Sequence, residues 1–220
     1  MFSSKYGTFL TVILIIAIVA IVGLLGFWGY DVYKKWNIDK TTSEVIAQFE
    51  EEVENAEINS ELTNLVDQIE GVEQTGTSTG TATGSRRKIT YKGFEVAGTI
   101  EIPTINLKYP ILTPETKKSL ELSVVLRYGS GLNKVGNTVV AGHNYRNGTM
   151  FSNVKKLKNG DIIYITDANG LKVRYEVYNV YQTTGEDATY MNRDTAGKKE
   201  ISLTTCTDDS KARTIVWAKE

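Results

Sequence analysis

The sequence predicts a mainly β fold: a closed β-barrel of about eight strands with short helices, preceded by a transmembrane helix and an acidic helical segment. Three observations carry this prediction. Residues 9–28 contain no charged side chain, residues 41–74 hold many Glu and no Lys or Arg, and beyond residue 88 short β-type runs alternate with Gly, Asn, Asp and Pro. The boundaries that follow are 1–30 for an anchor, 31–74 for the acidic helical segment, 75–88 for a flexible linker and 89–220 for the barrel.

The anchor is the run "FLTVILIIAIVAIVGLLGFW", Phe9 to Trp28. At about 1.5 Å per residue its roughly 20 residues span a hydrocarbon layer of about 30 Å. A cleaved signal peptide has an apolar core of only about 7–15 residues and a small-residue cleavage site. Here the run ends in Phe27, Trp28 and Tyr30, side chains suited to the membrane interface. Lys5 flanks one side and Lys34 and Lys35 the other, so the lysine count favours keeping the C-terminal side inside. Long domains cross largely regardless of charge, so that count does not decide orientation.

From Thr41 to Gln74, apolar residues recur at helical spacing: Val45, Phe49 and Val53, then Leu62, Leu65, Ile69 and Val72. The change of phase near Asn59 and Ser60 favours two helices. The heptads are not sustained, so a solvated spacer is expected rather than a coiled coil. "TGTSTGTATGS", Thr75 to Ser85, has nothing to bury and reads as a linker.

The barrel follows. "FEVAGTIEIP", "YPIL", "NTVVAGH", "DIIYITD", "LKVRYEVYNVYQTT", "KEISLTTC" and "RTIVWAK" read as strands, and the fifth alternates Leu171, Val173, Tyr175 and Val177 with Lys172, Arg174 and Glu176. In "TPETKKSLE", Thr113 is the expected N-cap of a short helix with Pro114 at its first position. Lys plus Arg (25) and Asp plus Glu (26) nearly cancel, so no global field draws nucleic acid.

One Cys and one His exclude an internal disulfide and leave too few ligands for a Cys/His zinc site, so no metal and no cofactor are expected. Cys206 is then either a buried small hydrophobe or a nucleophile. If "ISLTTC" and "RTIVW" form a hairpin turning between Asp209 and Ser210, Cys206 faces Arg213. Opposed residues of an antiparallel pair share a face, with Cβ atoms about 4.5–5.5 Å apart. Arg213 either supplies a guanidinium fork to a carbonyl or oxyanion, or pairs with Asp208 or Asp209 on the surface. His143 follows Gly142 after an apolar strand. As the sole histidine it is the partner in any thiol–imidazole pair.

These residues carry a resemblance. "SLTTC", "RTIVW" and "AGHNYRNGTMF" resemble, in order, the cysteine signature, the arginine strand and the histidine segment of the sortases, membrane-anchored cysteine transpeptidases of Gram-positive surfaces. Ser202 stands where the signature has Thr, and the "GHN…GTMF" form most resembles class B members. The resemblance covers roughly Phe94 to Lys219. It implies a sortase-like barrel in which Cys206 attacks a Thr carbonyl of a C-terminal sorting motif and forms a thioester. His143 would serve as acid and base, and Arg213 would bind the carbonyl and oxyanion. Thr204, Thr205 and Asn144 are the implied substrate-binding residues.

The implied partners are a surface-protein sorting signal, an amine of a cell-wall precursor or pilin, and membrane lipid around the N-terminal helix, with no nucleic acid. The implied location is the cell membrane, single-pass, with the catalytic domain outside. A membrane-anchored cysteine peptidase that gives the thioester to water is the alternative enzyme, and a non-catalytic tethered module the alternative from another class. With reference pKa values of about 8.5 for Cys and 6.5 for His, only on the order of 1% of free pairs carry both charges at pH 7. Because the motifs lie beyond residue 84, residues 1–84 are expected to be dispensable for cleaving a soluble peptide.

Overall fold

The computed structural model describes residues 5–70 and 88–220. The linker expected at 75–88 therefore lies outside the described residues except for Lys88, as does Val72. The chain divides into two units, Met1–Thr41 and Thr42–Glu220.

Helix α1, Lys5–Glu70, begins in the first unit. Its stretch Phe9–Tyr30 is 22 residues of apolar helix with none of it buried, long enough to cross a bilayer. One helix replaces the two expected, because α1 runs unbroken through Asn59 and Ser60. Neither residue stops a helix alone: each costs less than about 0.7 kcal/mol relative to Ala, and no Gly or Pro stands beside them.

In the second unit the helix has a partner. Val45, Ile46 and Phe49 are buried, and Val45 and Phe49 join one apolar cluster with Tyr91, Val96, Leu112, Val125 and Ala141. Glu50 accepts a hydrogen bond from Lys108 at 2.7 Å. A solvated spacer is expected over these residues from sequence; instead the i, i+4 stripe at 45, 49 and 53 seals apolar sheet surface. Leu62, on the later stripe, is exposed.

The strands are β1 (Thr90–Tyr91), β2 (Phe94–Ile102), β3 (Leu107–Thr113), β4 (Val124–Tyr128), β5 (Gly136–Ala141), β6 (Ile162–Asp167), β7 (Lys172–Thr184), β8 (Lys199–Cys206) and β9 (Ala212–Lys219). Eight of them close a ring in the order β2–β3–β4–β5–β8–β9–β7–β6 and back to β2, with β1 paired outside it on β2. The β3–β4 and β5–β8 pairs are parallel and the others antiparallel. Closure leaves the ring no free edge. β4 has no counterpart among the segments named from sequence, since "VVLRY" lacks alternation.

Helix α2 spans Lys117–Leu122. Its N-cap is Thr116, not Thr113: Thr116 Oγ1 accepts from the Ser119 amide at 3.0 Å, and Ser119 Oγ accepts from the Thr116 amide at 2.8 Å. That reciprocal capping box outcompetes the proline signal, and Thr113 ends β3. On β7 the expected alternation appears at Val173, Tyr175 and Val177, while Leu171 is exposed before the strand begins.

Alternation along β5, β8 and β9 gives the sheet two faces. Val140, Leu203 and Val216 pair across three strands and are fully buried. The opposite face carries Ala141, Thr204 and Ile215. The helix packs on that second face at Ala141's cluster, and Tyr190 packs on it at Val139 and Ile215. The second face is therefore the outer one, and the first lines the barrel.

Candidate active site

Cys206 is the last residue of β8 and pairs with Arg213 on β9, the register expected from the hairpin. Arg213 Nη1 donates to Cys206 Sγ at 3.1 Å. The turn between them is closed by Thr207 N to Ala212 O at 2.9 Å and Ser210 N to Thr207 O at 2.9 Å. Asp208 accepts from Asn144 at 2.9 Å and from Lys155, and Asp209 accepts from Thr207 Oγ1 at 2.6 Å and the Lys211 amide at 3.1 Å. Those partners, not Arg213, occupy the two carboxylates that the surface-pair alternative invoked.

His143 reaches the same end of the sheet through β5. An offset of 63 residues pairs Gly136 with Lys199 and continues to Ala141 with Thr204. Carried two residues past that last pair, the same offset puts position 143 level with position 206. Two bonds extend the ladder beyond its last pair: Gly142 N to Thr204 O at 3.1 Å, and Thr205 Oγ1 to Gly142 O at 2.7 Å. Gly142 is required here because a Cβ would meet the Phe151 ring at 2.8 Å and Val124 Cγ1 at 2.9 Å. The Phe151 amide in turn donates to the His143 carbonyl at 3.1 Å.

The imidazole packs against the Tyr145 ring, centroids 5.0 Å apart. Burial pushes its pKa below the ordinary 6.5; Glu121 pulls partly back and Arg127 adds to the lowering. Neither Glu121 nor Arg127 was singled out from sequence. They lie on α2 and β4 and act on the imidazole by charge alone, and no local spacing signals that influence.

Thr204 and Thr205, expected to bind substrate, are 1% and 3% exposed. Thr205 ties β8 to β5, and Thr204 Oγ1 donates to Tyr190 Oη at 3.4 Å. Their hydroxyls act inside the fold and present nothing to a bound peptide. Asn144 Nδ2 donates to the Cys206 carbonyl at 3.0 Å as well as to Asp208.

Farther along the outer face, the β7–β8 connection is locked down by a largely shielded pair. Arg193 Nη1 donates to Glu200 Oε2 at 2.7 Å and its Nη2 to Asn137 Oδ1 at 2.9 Å, with the guanidinium 4.3 Å from the centre of the Trp217 ring. Ser202, the residue that replaces Thr in the signature, donates to the same Asn137 oxygen at 2.9 Å. This network fixes the outer face without touching Cys206, and sequence gave no sign of it because its members are up to 80 positions apart.

No group of three or more His, Cys, Asp or Glu side chains that could hold a metal occurs among the described residues. What the site brings together is a partly exposed thiol and a permanent cation in contact with it, with the sole histidine two residues past the last β5–β8 pair. A thiol so placed suits nucleophilic attack on a carbonyl, with the guanidinium beside the oxygen that becomes negative.

A family model described as the sortase domain matches residues 100–220, more than half of the chain. Sortase A of Bacillus anthracis is 34% identical over 125 residues, covering 56% of this chain and 58% of that relative. The chain thus matches less than two thirds of that relative's length. Among solved structures, a lid mutant of sortase A from Corynebacterium diphtheriae is 32% identical with a TM-score of 0.52, over 57% of this chain and 70% of the other. The sortase D5 transpeptidase of Clostridium perfringens is 30% identical with a TM-score of 0.51, over 56% and 77%. Barrel closure agrees with these matches, and the sortase-domain model covers more than half of the chain: the chain belongs to the sortase family.

Proposed function

We propose that the chain is a cysteine transpeptidase that cleaves the C-terminal sorting motif of surface proteins at a Thr carbonyl and transfers the acyl chain to an amino group. The observation that carries this is the 3.1 Å contact between Arg213 Nη1 and Cys206 Sγ on one rung, and the position of His143 two residues past the last β5–β8 pair supports it.

Cys206 Sγ, as the thiolate, attacks the carbonyl carbon; the C–S bond forms and the carbonyl electron pair moves to oxygen. Arg213 donates to that oxygen. The tetrahedral adduct collapses, the C–N bond breaks, and the leaving amine takes a proton from His143. An incoming amine then gives a proton to His143 as its nitrogen bonds to the thioester carbon, and the C–S bond breaks to regenerate Cys206. Burial of His143 favours the neutral imidazole that accepts the incoming amine's proton, and it opposes the imidazolium that the first step needs.

The amine belongs to a cell-wall precursor or a pilin. The apolar stretch Phe9–Tyr30 would hold the enzyme in the membrane with its barrel outside, where both substrates lie. Class B character rests on the histidine segment alone. The relatives named above are of the A and D types, and the β7–β8 connection holds turns where class B members usually carry a long helix, which favours a reading outside class B.

The test is to incubate the full chain in detergent with a peptide library containing Leu-Pro-x-Thr-Gly and Asn-Pro-x-Thr-Asn motifs, with and without an added amine. Mass spectrometry should find an acyl adduct on Cys206 and, with amine, the transfer product. An adduct that yields only hydrolysed peptide at every amine concentration would make the protein a peptidase.

A further inference from the structure

The ladder between β5 and β8 stops just short of the reacting groups. Its last main-chain bond joins Gly142 to Thr204, and its last hydroxyl bond joins Thr205 to Gly142. At the level of His143 and Cys206 the tie is a side chain, that of Asn144. Its Nδ2 donates to the Cys206 carbonyl at 3.0 Å and to Asp208 Oδ1 at 2.9 Å, and its Oδ1 accepts from the Arg146 amide at 3.1 Å. Lys155 holds the other oxygen of Asp208, and Arg146 Nη2 donates to Ser210 Oγ at 2.8 Å.

A side-chain amide has two N–H donors, and both are spent inside the protein. Nothing remains for a peptide carbonyl, although the sequence places Asn144 among substrate-binding candidates. We propose that Asn144 is a positioning residue for the reaction: through its bond to the Cys206 carbonyl it holds the main chain of the nucleophile in register with the imidazole one residue before it. The bond to Asp208 and the Lys155 pair orient the amide for that task.

The inference rests on the transpeptidase reading, and its test has one arm that does not. Two variants are compared with wild type as full chains in detergent: Asn144→Ala and the near-isosteric swap Asn144→Asp/Asp208→Asn. In the swap, the new amide at 208 can donate to the carboxylate at 144, which restores the tie between the loops. A carboxylate cannot donate to the Cys206 carbonyl.

Both variants should lose about 10- to 100-fold in kcat on a sorting peptide, since a misplacement of about 1 Å costs that much. KM should stay within about twofold, because no substrate contact is lost. The second arm is NMR titration of His143, whose signal is unambiguous because it is the only histidine. Burial holds its pKa down, with Glu121 and Arg127 acting in opposite senses. Loosening its loop in Asn144→Ala admits water, so the midpoint should rise toward 6.5.

A raised KM at unchanged kcat would assign Asn144 to substrate and overturn the proposal. Recovery of wild-type kcat in the swap would overturn it too, because the loop tie and not the Cys206 bond would then matter. An unmoved His143 midpoint in Asn144→Ala would do the same. If wild type turns over no sorting peptide, the transpeptidase reading fails, and the titration alone decides whether Asn144 holds the pair in place.

Discussion

The hydroxyl of Thr205 donates to the carbonyl of Gly142 at 2.7 Å, tying the residue before the nucleophile to the residue before the imidazole. Thr205→Val keeps the shape and removes the donor, which leaves a buried carbonyl unpaired. The expected cost is about 1–3 kcal/mol in chemical denaturation, with a fall in kcat, and Thr205→Ser should restore both. A valine variant as stable and as active as wild type would show that β8 and β5 hold the site without this bond.

Cys206→Ala and His143→Ala should each abolish peptide cleavage and leave the fold intact by circular dichroism. The chain has no second Cys or His to substitute. Near-wild-type turnover in either would end the proposed mechanism.

Arg213→Lys keeps the charge and loses the fork that reaches Sγ and an oxyanion together. Loss of one preorganised donor costs about 10²–10³ in kcat, or roughly 3–4 kcal/mol of transition-state stabilisation. Turnover within threefold of wild type would leave the oxyanion to backbone amides.

Acid stability should fall in two windows. Folding lowers the pKa of His143 below 6.5, so from 6.5 down to the folded value the unfolded chain binds the proton more readily. Stability therefore rises with pH across that window, and this contribution is lost as pH falls through the folded pKa. Asp187, Asp208 and Asp209 are held below 3.8 by their hydrogen bonds, Thr183 first for Asp187, Lys155 for Asp208 and Thr207 for Asp209. Their contribution is present above 3.8 and disappears only below it. Urea denaturation from pH 3 to 8 should show both slopes, and His143→Gln should remove only the upper one.

Phe49→Ala should destabilise the Thr42–Glu220 unit by about 3–5 kcal/mol, because Phe49 is 2% exposed in a cluster with Val96, Leu112 and Val125. Glu50→Gln should cost under about 1 kcal/mol, since its pair with Lys108 is open to water. A chain beginning at Arg86 would expose the same sheet surface and should melt lower than one beginning at Thr42. Equal melting temperatures would return the helix to the spacer role that the sequence suggests.

The sequence by itself determined the apolar stretch at 9–28, most of the strands and the Cys206–Arg213 rung. Each depends on information within a few residues: an uncharged run, a period of two, and a hairpin short enough for its register to be counted. The His143–Cys206 relation was legible only as a pairing of the sole members of their kinds, because β6 and β7 intervene between β5 and β8 and only their parallel pairing carries the two segments to the same end of the sheet. Tertiary structure alone decided that Thr204 and Thr205 are buried, that Asn144 spends both donors on the protein, and that Phe49 lies buried. A sequence shows a residue's period and polarity but not which distant surface covers it, and burial depends on that surface.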